Sequence, residues 1–391
     1  MTDPLSFDGL RLPSARMGED HDQWRATVRA FVDREIAPYA NEWDEAGGFP
    51  RELHKKAVDV GLIGLGYPEE YGGVGDGTDV FHAIIAQEEL ARPGAGGIVA
   101  GLMTHGIGLP PVMALGSEAL KRRVAPPVLA GEKLISLCVT EPSGGSDVAN
   151  IRTRAVRDGD DYIVNGEKTY ITTGCRADFL TVAVRTGGEG AGGLSFLLVE
   201  TDRPGVTRTP LQKMGWWASD TASIHFDDVR VPAENLIGEE NRGFLGIVGN
   251  FNMERLSMAA QSAAFARACI EDAANWARER TTFGKPLSKH QVIRHKFAEM
   301  VRRVHATTAY LDWCAALVAD GASPIAELSL LKVQATRTME HCAREAMQIL
   351  GGAGFIRGQR VERIYREVRV MAIGGGSEEI MNDLAARQLG L

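Results

Sequence analysis

Apolar residues at Trp24, Val28, Phe31, Val32 and Ile36 recur every three or four positions, which predicts a helix over residues 23–39 buried along one face. Pro50, Pro68 and the glycines of residues 72–77 interrupt this helical pattern. From about residue 134 the pattern shortens to β-rich runs at 134–140, 162–164, 179–184, 194–200 and 223–231. Asp158-Gly159, Asn165-Gly166 and the glycine cluster of residues 187–193 are expected to be turns between them. Helical spacing returns over 243–280, 289–320 and 325–350, with Gly321 after the second run and Gly351-Gly352 as the C-cap of the third. A last helix is expected to start at Ser377, whose hydroxyl suits an N-cap. The expected architecture is α+β and multidomain: an N-terminal helical domain over 1–133, a middle β domain over 134–238 and a C-terminal helical bundle over 239–391. The pattern contains no internal repeat and no low-complexity linker.

A chain of 391 residues, 44% of them hydrophobic, can bury one large core or two to three smaller ones. The net charge of −8 and the absence of a basic stripe argue against nucleic-acid binding. The clusters Lys121-Arg122-Arg123 and Arg302-Arg303 are most simply solvated helix faces. Five scattered cysteines without a C-x-x-C pair fit free thiols in a reducing compartment. Nine histidines form no zinc-binding pattern, so no metal is expected. The beginning of the chain lacks a signal-peptide pattern. The apolar stretch 97–115 contains Thr104, His105, Pro110 and Pro111 and suits a buried helix and loop better than a membrane span. A cytoplasmic location is expected.

No G-x-G-x-x-G follows a strand and opens a helix, so a dinucleotide-binding βαβ unit is not expected. A different cradle is offered by Leu137-Cys138-Val139-Thr140-Glu141-Pro142-Ser143-Gly144-Gly145-Ser146-Asp147. There a strand enters a turn whose glycines admit close backbone approach, flanked by three hydroxyls.

This string resembles the signature of the acyl-CoA dehydrogenases. Four further segments resemble that family in order: Asn165-Gly166-Glu167-Lys168-Thr169-Tyr170-Ile171-Thr172, Ser219-Asp220-Thr221, Arg280-Thr281-Thr282-Phe283-Gly284-Lys285-Pro286-Leu287 with Gln291, and Gln348-Ile349-Leu350-Gly351-Gly352-Ala353-Gly354-Phe355. The resemblance covers nearly the whole chain. It implies a helical N-terminal domain, a β-barrel-like middle domain, a C-terminal four-helix bundle and bound FAD. It assigns Cys138, Thr140, Gly145, Ser146, Tyr170 and Thr172 to FAD, with Thr140 and Thr172 at the isoalloxazine, Thr172 near N5 and Ser146 at the pyrophosphate. Tyr170 stands where the family usually carries Trp. Arg280, Phe283, Gln291, Gln348 and Gly352 are expected to reach the FAD of a neighbouring subunit, and a guanidinium suits a pyrophosphate. Ser377 and Glu379 are also assigned to FAD. A homotetramer, a dimer of dimers, is implied. Ser146, Asn252 and Arg255 are expected to contact an acyl-CoA, and an electron-transfer flavoprotein is the expected acceptor.

The reaction the family performs needs a carboxylate to take the α-proton of the thioester. Many members place a Glu before Gly-Thr or Gly-Ser near the C-terminus, but here that position is Gly375, within Ile373-Gly374-Gly375-Gly376-Ser377. A subset that includes the long-chain and isovaleryl enzymes carries the base on the helix after the middle domain, and the matching residue is Glu254 in Phe251-Asn252-Met253-Glu254-Arg255-Leu256. Helical spacing independently places Glu254 on the apolar stripe of Phe244, Ile247, Phe251, Met258 and Phe265. The competing reading is a buried Glu paired with a distant Arg. The backbone N–H of Gly375 is expected to donate to the thioester carbonyl. The glycines 374–376 are expected to leave volume for wide acyl chains, and Glu254→Gly with Gly375→Glu to recover part of the activity. Two alternatives remain open: an oxidase or monooxygenase on the same fold, and a non-catalytic assembly factor.

Overall fold

The computed structural model describes residues 2–391, apart from the side chains of residues 245–250, so the stripe position Ile247 lies outside the described residues. Three zones follow one another as the periodicity predicts. The first contains α1 (Glu19–Glu35), which packs Val28, Phe31 and Val32 inward, and α2 (Val80–Ala91). The stretch expected to avoid a membrane span folds as short helices Gly96–Leu102, His105–Gly108 and Pro110–Leu115. No single helix among the described residues is long and apolar enough to cross a membrane.

The middle zone is one sheet of β1 (Ile135–Cys138), β2 (Arg154–Asp158), β3 (Asp161–Thr172), β4 (Phe179–Arg185), β5 (Leu194–Glu200), β6 (Val206–Pro210), β7 (Thr221–Pro232) and β8 (Leu236–Ile237). The strand order is β6-β7-β3-β2-β4-β5-β8, with β1 parallel to β4. Both faces of β4 and β5 are covered, which is why these runs are mostly apolar and buried along their length instead of alternating. Leu180, Val182, Val184, Leu197 and Val199 join the sheet's own core. Ala183, Leu194, Phe196 and Leu198 face the helices of the first zone.

Of the two expected turn dipeptides in this zone, one holds and one does not. Asp158-Gly159 does begin the β2–β3 hairpin, with Asp158 opposite Asp161 and Gly159 at φ +61°. Asn165-Gly166 is not a turn. It lies inside β3, at a register shift against β7. The Asn165 side chain is held by Asp228, donating to its carboxylate and accepting from its N–H, both at 2.9 Å, so pairing with β7 overrides the local turn signal. The strands β2 and β6 were not anticipated because their burial patterns are mostly exposed and offer few apolar positions to read.

The last zone holds α3 (Gly243–Glu279), α4 (Gln291–Ala319), α5 (Ile325–Leu350), α6 (Arg360–Ile373) and α7 (Glu378–Gln388). The helix α6 was also missed, although Val361, Ile364, Val368 and Met371 form a buried stripe at helical spacing. Ser377 caps α7 as expected, its hydroxyl accepting from the Ile380 N–H.

Candidate active site

The first cluster of sequence-selected residues forms where β1 leaves the sheet beside the end of β3. The Thr169 N–H donates to the Thr140 carbonyl at 2.9 Å, and the Ser136 hydroxyl donates to the Thr172 carbonyl at 2.8 Å. These bonds bring Thr140 and Thr172 to one edge. The second register shift of β3 falls between Lys168 and Ile171, and there Tyr170 takes φ +60° and is 70% exposed. Ser143, Gly144, Gly145 and Ser146 are exposed, while Cys138 is buried. A Cβ on Gly144 would meet nothing within 4 Å, so backbone there is open to a ligand.

This edge rests on a buried ion pair that sequence reasoning missed. Lys168 is 0% exposed and donates to Glu141 Oε1 at 2.8 Å and to the Val139 carbonyl at 3.1 Å. Glu141 also accepts from the Thr153 N–H and hydroxyl at 2.9 and 2.6 Å and from the Arg152 N–H at 2.7 Å. Burial pulls the Lys168 ammonium down to about 8, against the attraction of Glu141. The same attraction and the donated bonds outweigh burial at Glu141, whose carboxyl is held below its usual range. A cation at an inward position of an apolar strand was the available signal. Lys168→Met is expected to destabilise the fold by about 3–5 kcal/mol, because Glu141 would stay buried without its counter-charge. Thermal unfolding checks this, and a loss below about 1 kcal/mol would mean that the neutral donors suffice for Glu141.

The second cluster lies where α3, α5 and the turn between α6 and α7 meet. Glu254 is partly buried on α3, and its Oε2 is enclosed and lacks a hydrogen-bond partner among the described residues. Among the described residues Glu254 forms no ion pair with a distant Arg, as the competing reading required. Burial raises the carboxyl to about 7, opposed by the charges of Arg255 and Lys332. Gly375 stands opposite at φ +64°, and a Cβ built on it would lie 3.8 Å from Glu254 Oε1. Arg255 Nε donates to the Gly375 carbonyl at 3.4 Å, its Nη1 donates to Asn252 Oδ1 at 3.1 Å, and its guanidinium lies over the Phe251 ring.

The expected volume beside the glycines is not empty. The same Cβ on Gly375 would meet Met258 Sδ at 2.7 Å, and one on Gly376 would meet Met381 Cε at 2.4 Å. Two thioethers from the flanking helices occupy the space that side chains on Gly375 and Gly376 would take.

A third group does not join either cluster within one chain. Arg280, Phe283, Gln291, Gln348 and Gly352 are exposed, Phe283 to 97% and at φ +48°. Glu379 is exposed in the first turn of α7. Outside these groups, Asp20, His21 and His82 bring ligand atoms within 4.8 Å of one another. Their ring nitrogens serve helix starts, with His21 Nδ1 accepting from the Gly18 N–H and His82 Nδ1 bonded to the capping Asp79.

Hydroxyls of Thr140, Ser146 and Thr172 find no side-chain partner among the described residues, beside an exposed aromatic ring and open glycine backbone. This donor set fits an isoalloxazine and its phosphates. The fold and site therefore suit a flavoenzyme that holds its cofactor without a Rossmann unit, with an enclosed carboxyl, that of Glu254, at a second cluster.

Sequence models of the acyl-CoA dehydrogenase N-terminal, middle and C-terminal domains match residues 18–132, 136–229 and 241–390. The mitochondrial long-chain specific acyl-CoA dehydrogenase of Sus scrofa is 36% identical over 95% of this chain and 86% of its own. A probable acyl-CoA dehydrogenase from Mycobacterium abscessus superposes with a TM-score of 0.93 at 48% identity, covering 96% of this chain and 100% of its own. A chain from structural work on the electron transferring flavoprotein of Acidaminococcus fermentans superposes with a TM-score of 0.90 at 30% identity, covering 96% and 99%. The chain belongs to the acyl-CoA dehydrogenase family, and is an FAD-dependent oxidoreductase of acyl-CoA thioesters.

Proposed function

We propose that Glu254 is the base of this dehydrogenase. The observation that carries the reading is the enclosed Glu254 carboxylate, with one oxygen unpartnered and the other directed at the Gly375 turn. Ionised Glu254 takes the α-proton of the thioester. The Gly375 N–H donates to the thioester oxygen, where charge develops. Arg255 and Asn252 line the approach to this pair, and Ser146 contacts the substrate from the middle domain. Bound FAD would supply the hydride acceptor for the β-hydrogen. The product is the trans-2-enoyl thioester.

Thr140, Gly145, Ser146, Tyr170 and Thr172 hold the flavin side of FAD, whereas Cys138, fully buried in the core of the sheet, has no surface to offer it. Arg280, Phe283, Gln291, Gln348 and Gly352, with Ser377 and Glu379, complete the site across a subunit contact. Their exposure in one chain supports this, since Phe283 at 97% exposure has little reason to stay apolar alone. The assembly proposed is a homotetramer built as a dimer of dimers. Arg280→Ala is expected to lower FAD retention during purification, because a shared pyrophosphate loses its fork of donors. Full FAD occupancy in that variant would overturn the shared site.

The likeness to the Acidaminococcus fermentans chain supports an electron-transfer flavoprotein as acceptor. That to the Sus scrofa enzyme supports a place in fatty-acid β-oxidation. The five free cysteines suit a cytoplasmic location. Anaerobic titration with straight and branched acyl-CoAs, followed by flavin bleaching, tests the proposal. Bleaching that persists when air is admitted supports the dehydrogenase. Rapid reoxidation would favour an oxidase, and no bleaching with any acyl-CoA would favour a non-catalytic role.

A further inference from the structure

We infer that Lys332 is a positioning residue for the reaction, and that it acts by clamping the glycine turn that faces Glu254. The inference rests on Glu254 being the base.

Lys332 lies on α5, far in sequence from both groups, and is 0% exposed. Its ammonium donates to the Ala372 carbonyl at 3.1 Å and to the Gly376 carbonyl at 2.7 Å. The first acceptor belongs to the last turn of α6, where carbonyls lack helical partners and the helix dipole favours a cation. The second lies beyond Gly375. Lys332 thus bridges the two sides of the turn and fixes its span. From the opposite helix Arg255 Nε holds the carbonyl between them, that of Gly375, at 3.4 Å. Gly375 and Gly376 sit at φ +64° and +104°, a conformation that glycine enters and leaves freely without such restraint. Two cations therefore hold the consecutive carbonyls of Gly375 and Gly376, which keeps the turn's backbone in fixed relation to the Glu254 carboxylate.

The charge of Lys332 also acts at a distance. Around Glu254 stand Arg255 on its own helix and Lys332 on α5, both opposing the upward push of burial. Lys332 in turn faces Glu378 on α7, Glu254 and Arg255. Removing Lys332 should both loosen the turn and make Glu254 harder to ionise.

The test uses FAD-loaded protein and two variants. Lys332→Met removes donor and charge, while Lys332→Gln keeps a donor without the charge. In Lys332→Met, kcat is expected to fall by about tenfold or more, since small misplacements of reacting groups are costly. The acid limb of the kcat profile should move to higher pH. Lys332→Gln should recover part of kcat while keeping the shifted limb, a split that a purely structural lysine would not produce. If Lys332→Met does not fold, Lys332→Gln alone decides through the position of its acid limb. Wild-type kcat and an unmoved limb in both variants would overturn the inference. Glu254→Gln run in parallel separates the two failures. If that variant is inactive while the Lys332 variants match wild type, only the role of Lys332 fails. If it remains active, the assignment of the base fails first.

Discussion

Glu254→Gln is expected to reduce turnover by about 10⁴-fold while leaving FAD bound and the fold intact. Gln keeps the volume and replaces an oxygen that has no partner to lose among the described residues, so packing around α3 has little cause to change. What it removes is the ability to accept a proton. The wild-type pH profile carries the same signature. Burial raises the carboxyl of the free chain to about 7, and only its ionised form is a base, so kcat/KM should fall about tenfold for each pH unit below that value. The residual rate of Glu254→Gln should lose this limb. Steady-state kinetics across pH checks both points, and a variant with near wild-type turnover or an unchanged limb would remove Glu254 from the mechanism.

Moving the carboxylate to the opposite wall should fail unless Met258 moves as well. Glu254→Gly combined with Gly375→Glu has chemical appeal, because a Cβ at Gly375 lies 3.8 Å from the present Glu254 oxygen. Two costs oppose it. A side-chain-bearing residue at φ +64° costs about 1–2 kcal/mol. The new Cβ would also lie 2.7 Å from Met258 Sδ, a separation that forces the thioether aside. Met258 is buried against the core of the last zone, so it has little room to retreat. The double variant is therefore expected to remain at least about 10²-fold below wild type in kcat/KM, given the cost of misplaced reacting groups. Adding Met258→Ala should restore part of the loss. The comparison is kcat/KM with one straight and one branched acyl-CoA for Glu254→Gly, the double and the triple variant. Equal recovery in the double and triple variants would show that Met258 is not the obstacle. Preference between the straight and the branched acyl-CoA in the three variants also tests whether the space beside the glycines, taken up by Met258 and Met381, limits the acyl chain.

The order of helical, β and helical zones was legible because burial imprints its period directly on the chain. Phe31 and Val32 on α1 show it, as do the doubly covered β4 and β5, whose apolar runs record two buried faces. Glu254 was legible for the same reason, as an acid on the stripe of Phe251 and Met258. Lys168 and Lys332 carried the same kind of signal, a charge at a buried position, yet a lone lysine in sequence does not show which carbonyls or carboxylates will meet it. Asn165-Gly166 shows the limit of local rules, because a turn dipeptide was drawn into a strand by its bonds to Asp228. The three glycines mark a second limit. Their lack of side chains is written in the sequence, but whether that leaves a void depends on neighbours from α3 and α7 that only packing brings near. The sequence by itself determined which stretches bury a face and which acid is out of place among apolar residues, since these depend on local period and composition. Only the tertiary structure decided that Glu254 faces Gly375, that Met258 fills the gap and that Lys332 closes the turn, because each of these is a meeting of side chains and backbone from separate helices whose contact no local pattern encodes.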